Sequence, residues 1–151
     1  MSQNIQSSRN TQTINAPFRI KSAGISLFTI LLIGSYYVAN MLNLLPSDLP
    51  VPDGALSLTI TTVILIVIVE VVLQIVLFIG AGQVEDHTER DNSVAARAAR
   101  NAYYVMTVGT IATFGSMFAG FSQFEMANVL LLAFLIAEIV KYLSQLFYHR
   151  R

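Results

Sequence analysis

The sequence contains no cysteine and few charged residues. Without cysteine the chain can form no disulfide bond, no thiolate metal site and no thiolate nucleophile. Charged residues make up 12% of the chain, about half of the usual share in a soluble domain. Nine basic and nine acidic residues balance each other and lie mostly at the ends of apolar segments. This pattern predicts no nucleic-acid partner.

Histidine and the common catalytic motifs are also missing from the apolar segments. The two histidines, His87 and His149, lie in polar stretches, which excludes a haem held by paired histidines at membrane depth. We interpret them as surface residues rather than as metal ligands. The sequence has no glycine-rich phosphate loop and no nucleophile beside a general base. We therefore expect no enzymatic activity and no resident metal or cofactor.

Long apolar runs dominate the rest of the chain, and hydrophobic residues make up 54% of it. A helix of about 20 apolar residues crosses the hydrocarbon core of a bilayer, which is about 30 Å thick. In lipid only helices and closed barrels satisfy their backbone hydrogen bonds. The sequence predicts an all-α polytopic membrane protein, with one domain of four transmembrane helices over residues 19–151. The predicted spans are about 22–45, 56–81, 101–121 and 126–148.

Two polar stretches flank these spans. Residues 1–18 are rich in Ser, Gln, Asn and Thr, which predicts a mobile polar tail. Residues 82–100 form the longest charged run and connect the second and third spans. All nine basic residues lie before the first span, in this connector, or in and after the second half of the fourth span. The positive-inside rule therefore predicts that both termini and the connector are cytoplasmic.

Ionisable side chains inside the second and fourth spans are the first candidate site. Glu70 and Gln74 lie one turn apart in the second span, and Glu138 and Lys141 lie close together in the fourth. A carboxylate at the bilayer centre costs about 2.5–3.5 kcal/mol, so it should face protein or water. Both spans run in the same direction, so the carboxylates reach similar depth and Lys141 could bridge them. The cluster could fix helix register, relay protons or cations, or line a pocket for a lipid head group or quinone.

A second candidate site lies where the connector meets the third span. Arg97, Arg100 and Tyr104 follow each other at three- and four-residue steps and so share one helix face. They could hold a lipid phosphate or a partner through charge-assisted hydrogen bonds. They could equally anchor the helix at the interface and pair with the acidic residues of the connector.

Small residues recur every four positions in the third span. One series is Gly109 and Thr113, and another is Ala112, Ser116 and Gly120. Small side chains on one face let a neighbouring helix approach closely. We therefore expect this span to pack tightly against another helix.

Two stretches resemble a family of small bacterial integral-membrane proteins of the DUF2178 type. The resembling residues are 89–91, Val94 and 97–105 near the connector, and 137–142, Gln145, Tyr148, Arg150 and Arg151 near the end. The resemblance covers the second to fourth spans, and the first span only in hydropathy. It implies four spans and residence in the bacterial inner membrane. It implies no activity.

Packing signals without a reaction motif indicate a non-enzymatic accessory, scaffolding or regulatory subunit that acts through helix–helix contacts. We expect it to form a homo-oligomer or to belong to a larger membrane complex, surrounded by membrane lipid. The alternative is a small proton- or cation-coupled transporter that uses Glu70 and Glu138 as its intramembrane carboxylates.

Overall fold

Over the part of the chain that the computed structural model describes, all regular secondary structure is helical, and short turns connect the helices. The described backbone covers residues 3–44, 49, 51–81 and 89–150, and most described side chains lie between residues 20 and 148. The four helices are α1 (Gln3–Leu44), α2 (Ala55–Ala81), α3 (Glu89–Phe118) and α4 (Gln123–Arg150). The prediction of an all-α chain with four helices is confirmed.

Three of these helices contain a segment long and apolar enough to cross a membrane. The segments are Ser22–Leu44 in α1, Ala55–Leu73 in α2 and Gln123–Tyr148 in α4. They indicate that the protein is embedded in a membrane. The apolar part of α3 is not among them, because hydroxyl residues and glycines interrupt its apolar side chains. The fourth span therefore stays a prediction.

The two polar stretches of the sequence are partly helical. The α1 helix begins at Gln3, so the backbone of residues 3–18 continues into the first apolar segment. The mobility that we expect of this tail stays a prediction. The α3 helix begins at Glu89, so residues 89–100 of the connector form the first turns of α3. Residues 82–88 of the connector lie outside the described residues.

The helices are arranged in a row rather than in a closed ring. One side of α4 packs against α3 and another packs against α1, which in turn packs against α2. Asn128 of α4 contacts Tyr37 of α1, and Asn101 of α3 contacts Ser144 near the other end of α4. Neighbouring helices are therefore antiparallel, in the order α2, α1, α4, α3. Over the described residues, α2 and α3 are the ends of this row.

Small residues let α3 and α4 approach closely. Ala98, Ala102 and Ser116 of α3 are buried, and a Cβ added to Gly109 would overlap the Cβ of Ala133 in α4. Gly109 thus permits the close approach that its spacing predicts. The second predicted series is wrong in part, because Ala112 is exposed and Gly120 lies beyond the end of the helix.

A tight turn joins α3 to α4. Gly120 has φ of 80°, and the Phe121 amide donates to the Ser116 carbonyl at 3.2 Å, which is the long bond of a Schellman motif. Ser122 and Glu125 then cap α4 reciprocally, with the Ser122 amide 2.7 Å from Glu125 Oε2 and the Glu125 amide 3.2 Å from Ser122 Oγ. These caps move the predicted span ends at 121 and 126 to Phe118 and Gln123.

Candidate functional site

Four polar side chains of α2 and α4 form a cluster, here called the carboxylate cluster: Glu70, Glu138, Lys141 and Tyr142. The Lys141 ammonium contacts Glu138 Oε2 and lies 3.5 Å from Glu70 Oε2. The Tyr142 hydroxyl donates to Glu70 Oε1 at 2.6 Å. Glu70 thus reaches two consecutive side chains of α4, and the cluster joins α2 to α4.

Helix geometry explains why these side chains meet. Glu138 and Lys141 are three residues apart on α4, so they lie on the same helix face and can pair directly. The side chains of Glu70, Glu138 and Lys141 are only 18%, 14% and 23% exposed. Lys141 also lies 4.7 Å from the centre of the Tyr142 ring, within the range of a cation–π contact. The ammonium group is therefore held on three sides.

The α1 helix completes the surroundings of the cluster. Tyr142 is buried, and Ser26 of α1 lies within hydrogen-bonding reach of its hydroxyl. Ser26 is also buried and donates to the Ser22 carbonyl at 3.0 Å. The cluster consequently lies beside α1, at a junction of three helices.

The charges of the cluster do not cancel. Two carboxylates face one ammonium group, which leaves one negative charge when both carboxyls are ionised. An uncompensated charge away from water is costly, whereas a carboxyl that holds a proton is neutral. The cluster can therefore fix the positions of the helices and can also hold or release one proton.

The sequence placed Glu70, Glu138 and Lys141 near one another, and the structure brings these three together. The side chain of Gln74 lies outside the described residues. The sequence places Tyr142 one turn after Glu138, on the same face of the fourth span, but it does not predict the hydrogen bond of Tyr142 to Glu70.

A second buried polar contact lies in the opposite half of α4. The Tyr37 hydroxyl of α1 donates to Asn128 Oδ1, and both residues are buried. Asn128 Nδ2 in turn donates to the Phe124 carbonyl at 2.8 Å. Sequence reasoning did not single out Asn128, although an amide in an apolar span requires a hydrogen-bond partner. This contact joins α1 to α4. Because both side chains are buried and hydrogen-bonded, we interpret the contact as structural.

An open apolar groove lies between α2 and α4 near this pair. Its volume is about 160 Å³, and its walls include Leu56 and Thr59 of α2 and Phe124 and Ala127 of α4. Pockets for small-molecule ligands are typically about 300–1,000 Å³ and enclose most of the ligand. The groove is too small and too open for such a ligand.

The second candidate site remains on the surface. Arg97, Arg100 and Tyr104 are all exposed on α3. Asn101, one turn after Arg97 at the edge of the buried face, donates to Ser144 Oγ at 3.2 Å and to Tyr148 Oη at 3.4 Å in α4. The structure brings the three candidate residues to one outward face and apart from the carboxylate cluster.

Within the described part of the chain, no group of three or more acidic or histidine side chains is placed to bind a metal ion. His87 and the side chain of His149 lie outside that part.

Comparison with known proteins adds no relative. No protein-family model matches the chain, and neither a curated protein nor a solved structure matches it.

Proposed function

We propose that all four helices cross the membrane of a bacterial cell, with both termini and the connector on the cytoplasmic side of the inner membrane. The basic residues support this orientation because, in the sequence, they all lie before the first span, in the connector, or in and after the second half of the fourth span. The resemblance to the four-span bacterial family of the DUF2178 type belongs to the same proposal.

Internal hydrogen bonds support a membrane-spanning α3. The hydroxyls of Thr107, Thr110 and Thr113 donate to backbone carbonyls one turn earlier, at 2.8, 2.9 and 2.9 Å. Ser116 donates to the Thr113 carbonyl at 2.7 Å. Each hydroxyl is thereby satisfied within the helix, which lowers the cost of transferring it into lipid. These residues lower the mean hydropathy of α3. Because their hydroxyls are already hydrogen-bonded, they oppose insertion of the helix into lipid only weakly.

The function that the geometry supports best is a non-enzymatic accessory, scaffolding or regulatory subunit that acts through helix–helix contacts. The observation that carries it is the open row of helices. Over the described residues, α2 packs along α1 and meets α4 through Glu70, and α3 packs along α4. Their outward faces expose apolar side chains, among them Ile64 and Ile68 of α2 and Ile111 of α3. Such faces suit a second copy or another membrane subunit as well as lipid.

The carboxylate cluster has a defined role in this proposal. Because α2 packs along α1 and reaches α4 through Glu70, the cluster holds α2 at a fixed position relative to α4. A subunit that presents α2 to a partner needs that position to be fixed. The shallow groove between these helices does not suggest an enclosed substrate site.

Cysteine cross-linking in native membranes tests the proposal at single chosen positions, because the chain itself has no other cysteine. We expect Val67→Cys on α2 or Met117→Cys on α3, both at exposed positions, to form cross-links to a second copy or to another membrane protein. Ala98→Cys is the matched control, because Ala98 is fully buried against α4 and should form none. If neither exposed position cross-links at native expression and mild extraction yields only a monomer, the subunit proposal fails.

The charge imbalance of the cluster favours a second candidate, a small proton- or cation-coupled transporter. In this alternative Glu70 and Glu138 exchange a proton or cation while Lys141 retains its charge. Proton flux into vesicles with reconstituted protein tests it. We expect Glu70→Gln and Glu138→Gln each to abolish flux and exposed Ser35→Ala to preserve it. No flux above that of empty vesicles, or equal flux in all variants, eliminates this alternative.

A further inference from the structure

One side of α3 combines charged, aromatic and apolar side chains in the order in which a phospholipid presents its parts. This side, the outer stripe, consists of Arg97, Arg100, Tyr104, Val108, Ile111 and Phe114, and all six are exposed. The opposite side of α3 is buried, with Ala98 and Ala102 against α4. The stripe therefore faces away from the rest of the chain.

The orientation of the two arginines is fixed by the packing of α3. Asn101, one residue after Arg100, hydrogen-bonds to Ser144 and Tyr148 and so sets the rotation of this turn relative to α4. Neither arginine forms an ion pair with a carboxylate whose side chain the structure describes. Both arginine side chains are exposed on the outward side of α3.

The dimensions of the stripe match one leaflet of a membrane. Tyr104 and Phe114 are ten residues apart, which is about 15 Å along a helix. Half of the hydrocarbon core is also about 15 Å thick. When Tyr104 lies at the interface, where tyrosine is enriched, the two arginines lie at head-group level. Val108, Ile111 and Phe114 then lie beside the acyl chains of the same leaflet.

We propose that the outer stripe of α3 binds an anionic phospholipid, with its phosphate on Arg97 and Arg100 and its acyl chains along the apolar residues. Charge complementarity selects the lipid, since guanidinium groups form paired hydrogen bonds with phosphate and the described stripe contains no acidic side chain. Tyr104 adds a hydroxyl at the boundary between head group and chains. This site rests on the proposed function in one respect, which is that α3 spans the membrane.

Fluorescence quenching by brominated lipids tests the site, because the chain has no tryptophan and a single one can report on its neighbours. The reporter substitution is Val108→Trp, in vesicles that contain brominated phosphatidylglycerol or brominated phosphatidylcholine. Ile68→Trp on the exposed face of α2 is the matched control reporter, because no arginine lies near it in the sequence.

We expect phosphatidylglycerol to bind more tightly than phosphatidylcholine at the Val108→Trp reporter and equally at the Ile68→Trp reporter. Each basic residue near an anionic head group contributes about a fivefold change in binding. Arg97→Gln or Arg100→Gln should therefore lower the preference about fivefold, and the double substitution should remove it. Arg97→Lys with Arg100→Lys should keep most of it, because the charge remains.

Two other outcomes overturn the site and are distinguishable. Quenching at the Val108→Trp reporter by both lipids with equal strength would place α3 in the membrane but eliminate the anionic-lipid site alone. Absence of quenching by either lipid at that position, with normal quenching at the Ile68→Trp reporter, would contradict the proposed span and with it the site.

Discussion

At the scale of single residues, the carboxylate cluster depends on Lys141. This ammonium group is the only cation among the described side chains of the cluster, and both carboxylates lie beside it. In a low-dielectric environment, removal of one partner of an ion pair leaves a charge whose desolvation is no longer compensated. The cost of that loss exceeds the net benefit of the original pair.

We expect Lys141→Met to lower the free energy of unfolding by about 3 kcal/mol, because it leaves two mostly buried carboxyls, 18% and 14% exposed, without a cation. Unfolding titrations in bicelles would measure the change. Tyr142→Phe removes one hydrogen bond to Glu70 and should cost only about 1 kcal/mol. Replacement of both glutamates by glutamine in the Lys141→Met background should restore much of the loss. Equal stability of Lys141→Met and the unmodified protein would show that the cluster contributes nothing.

The composition of this cluster could be predicted from the sequence only in part. Residue number along an apolar span gives depth, and the three-residue step between Glu138 and Lys141 gives a shared face. Depth alone therefore predicted that Glu70 lies at the same level of the membrane as Glu138 and Lys141. The partners of Tyr142 and Asn128 could not be predicted, because they depend on which face of α4 meets α1 and α2. Hydropathy contains no information on that choice when every face is apolar.

At the scale of the helices, their ends depend on local backbone hydrogen bonds rather than on hydropathy. The apolar run continues through Phe118 and Phe121, yet the turn at Gly120 ends α3 at Phe118 and the Ser122 cap precedes the start of α4 at Gln123. The signals were present in the sequence, since a glycine is followed by a serine with glutamate three residues later. The predicted boundaries of the third and fourth spans followed the length of the apolar run instead of these two signals.

Ser122→Ala removes the hydroxyl that accepts from the Glu125 amide. We expect a loss of about 1 kcal/mol in unfolding free energy, because the first turn of α4 then has one amide without a partner. The same unfolding titration would measure it, and Ser35→Ala, at an exposed position within α1, should change stability little. A loss at position 35 as large as that at position 122 would argue against the cap.

The contact between α3 and α4 gives a second prediction at this scale. A methyl group at position 109 would overlap Ala133, so Gly109→Ala should destabilise the protein by about 1–3 kcal/mol. Gly115→Ala is the matched control, because no atom lies near a Cβ at that position and alanine favours helix formation. Unfolding titrations would compare them.

A compensating substitution distinguishes overlap from a general effect at position 109. Gly109→Ala combined with Ala133→Gly moves the methyl group from one helix to the other and should recover most of the stability. Equal destabilisation by Gly109→Ala and Gly115→Ala, or no recovery in the combined variant, would contradict the close approach of α3 and α4.

At the scale of the whole molecule, the number of helices could be predicted from the sequence but their order in space could not. Apolar runs of span length separated by polar or proline-rich stretches give four helices. The row α2, α1, α4, α3 depends on small residues such as Gly109 and on single polar pairs such as Tyr37 with Asn128. Such pairs can be identified only when the neighbouring helix is known.

The proposals on subunit contacts and on lipid binding both require four spans with one orientation. Single cysteines in the chain, labelled by a membrane-impermeant maleimide in intact spheroplasts, test this directly, because the native sequence has none. Asp53→Cys, Asn92→Cys and Gln123→Cys all replace exposed residues at the ends of helices. We expect labelling from outside at positions 53 and 123, and at position 92 only after permeabilisation. Labelling of positions 92 and 123 from the same side would show that α3 does not cross the membrane, and would contradict the four-span topology.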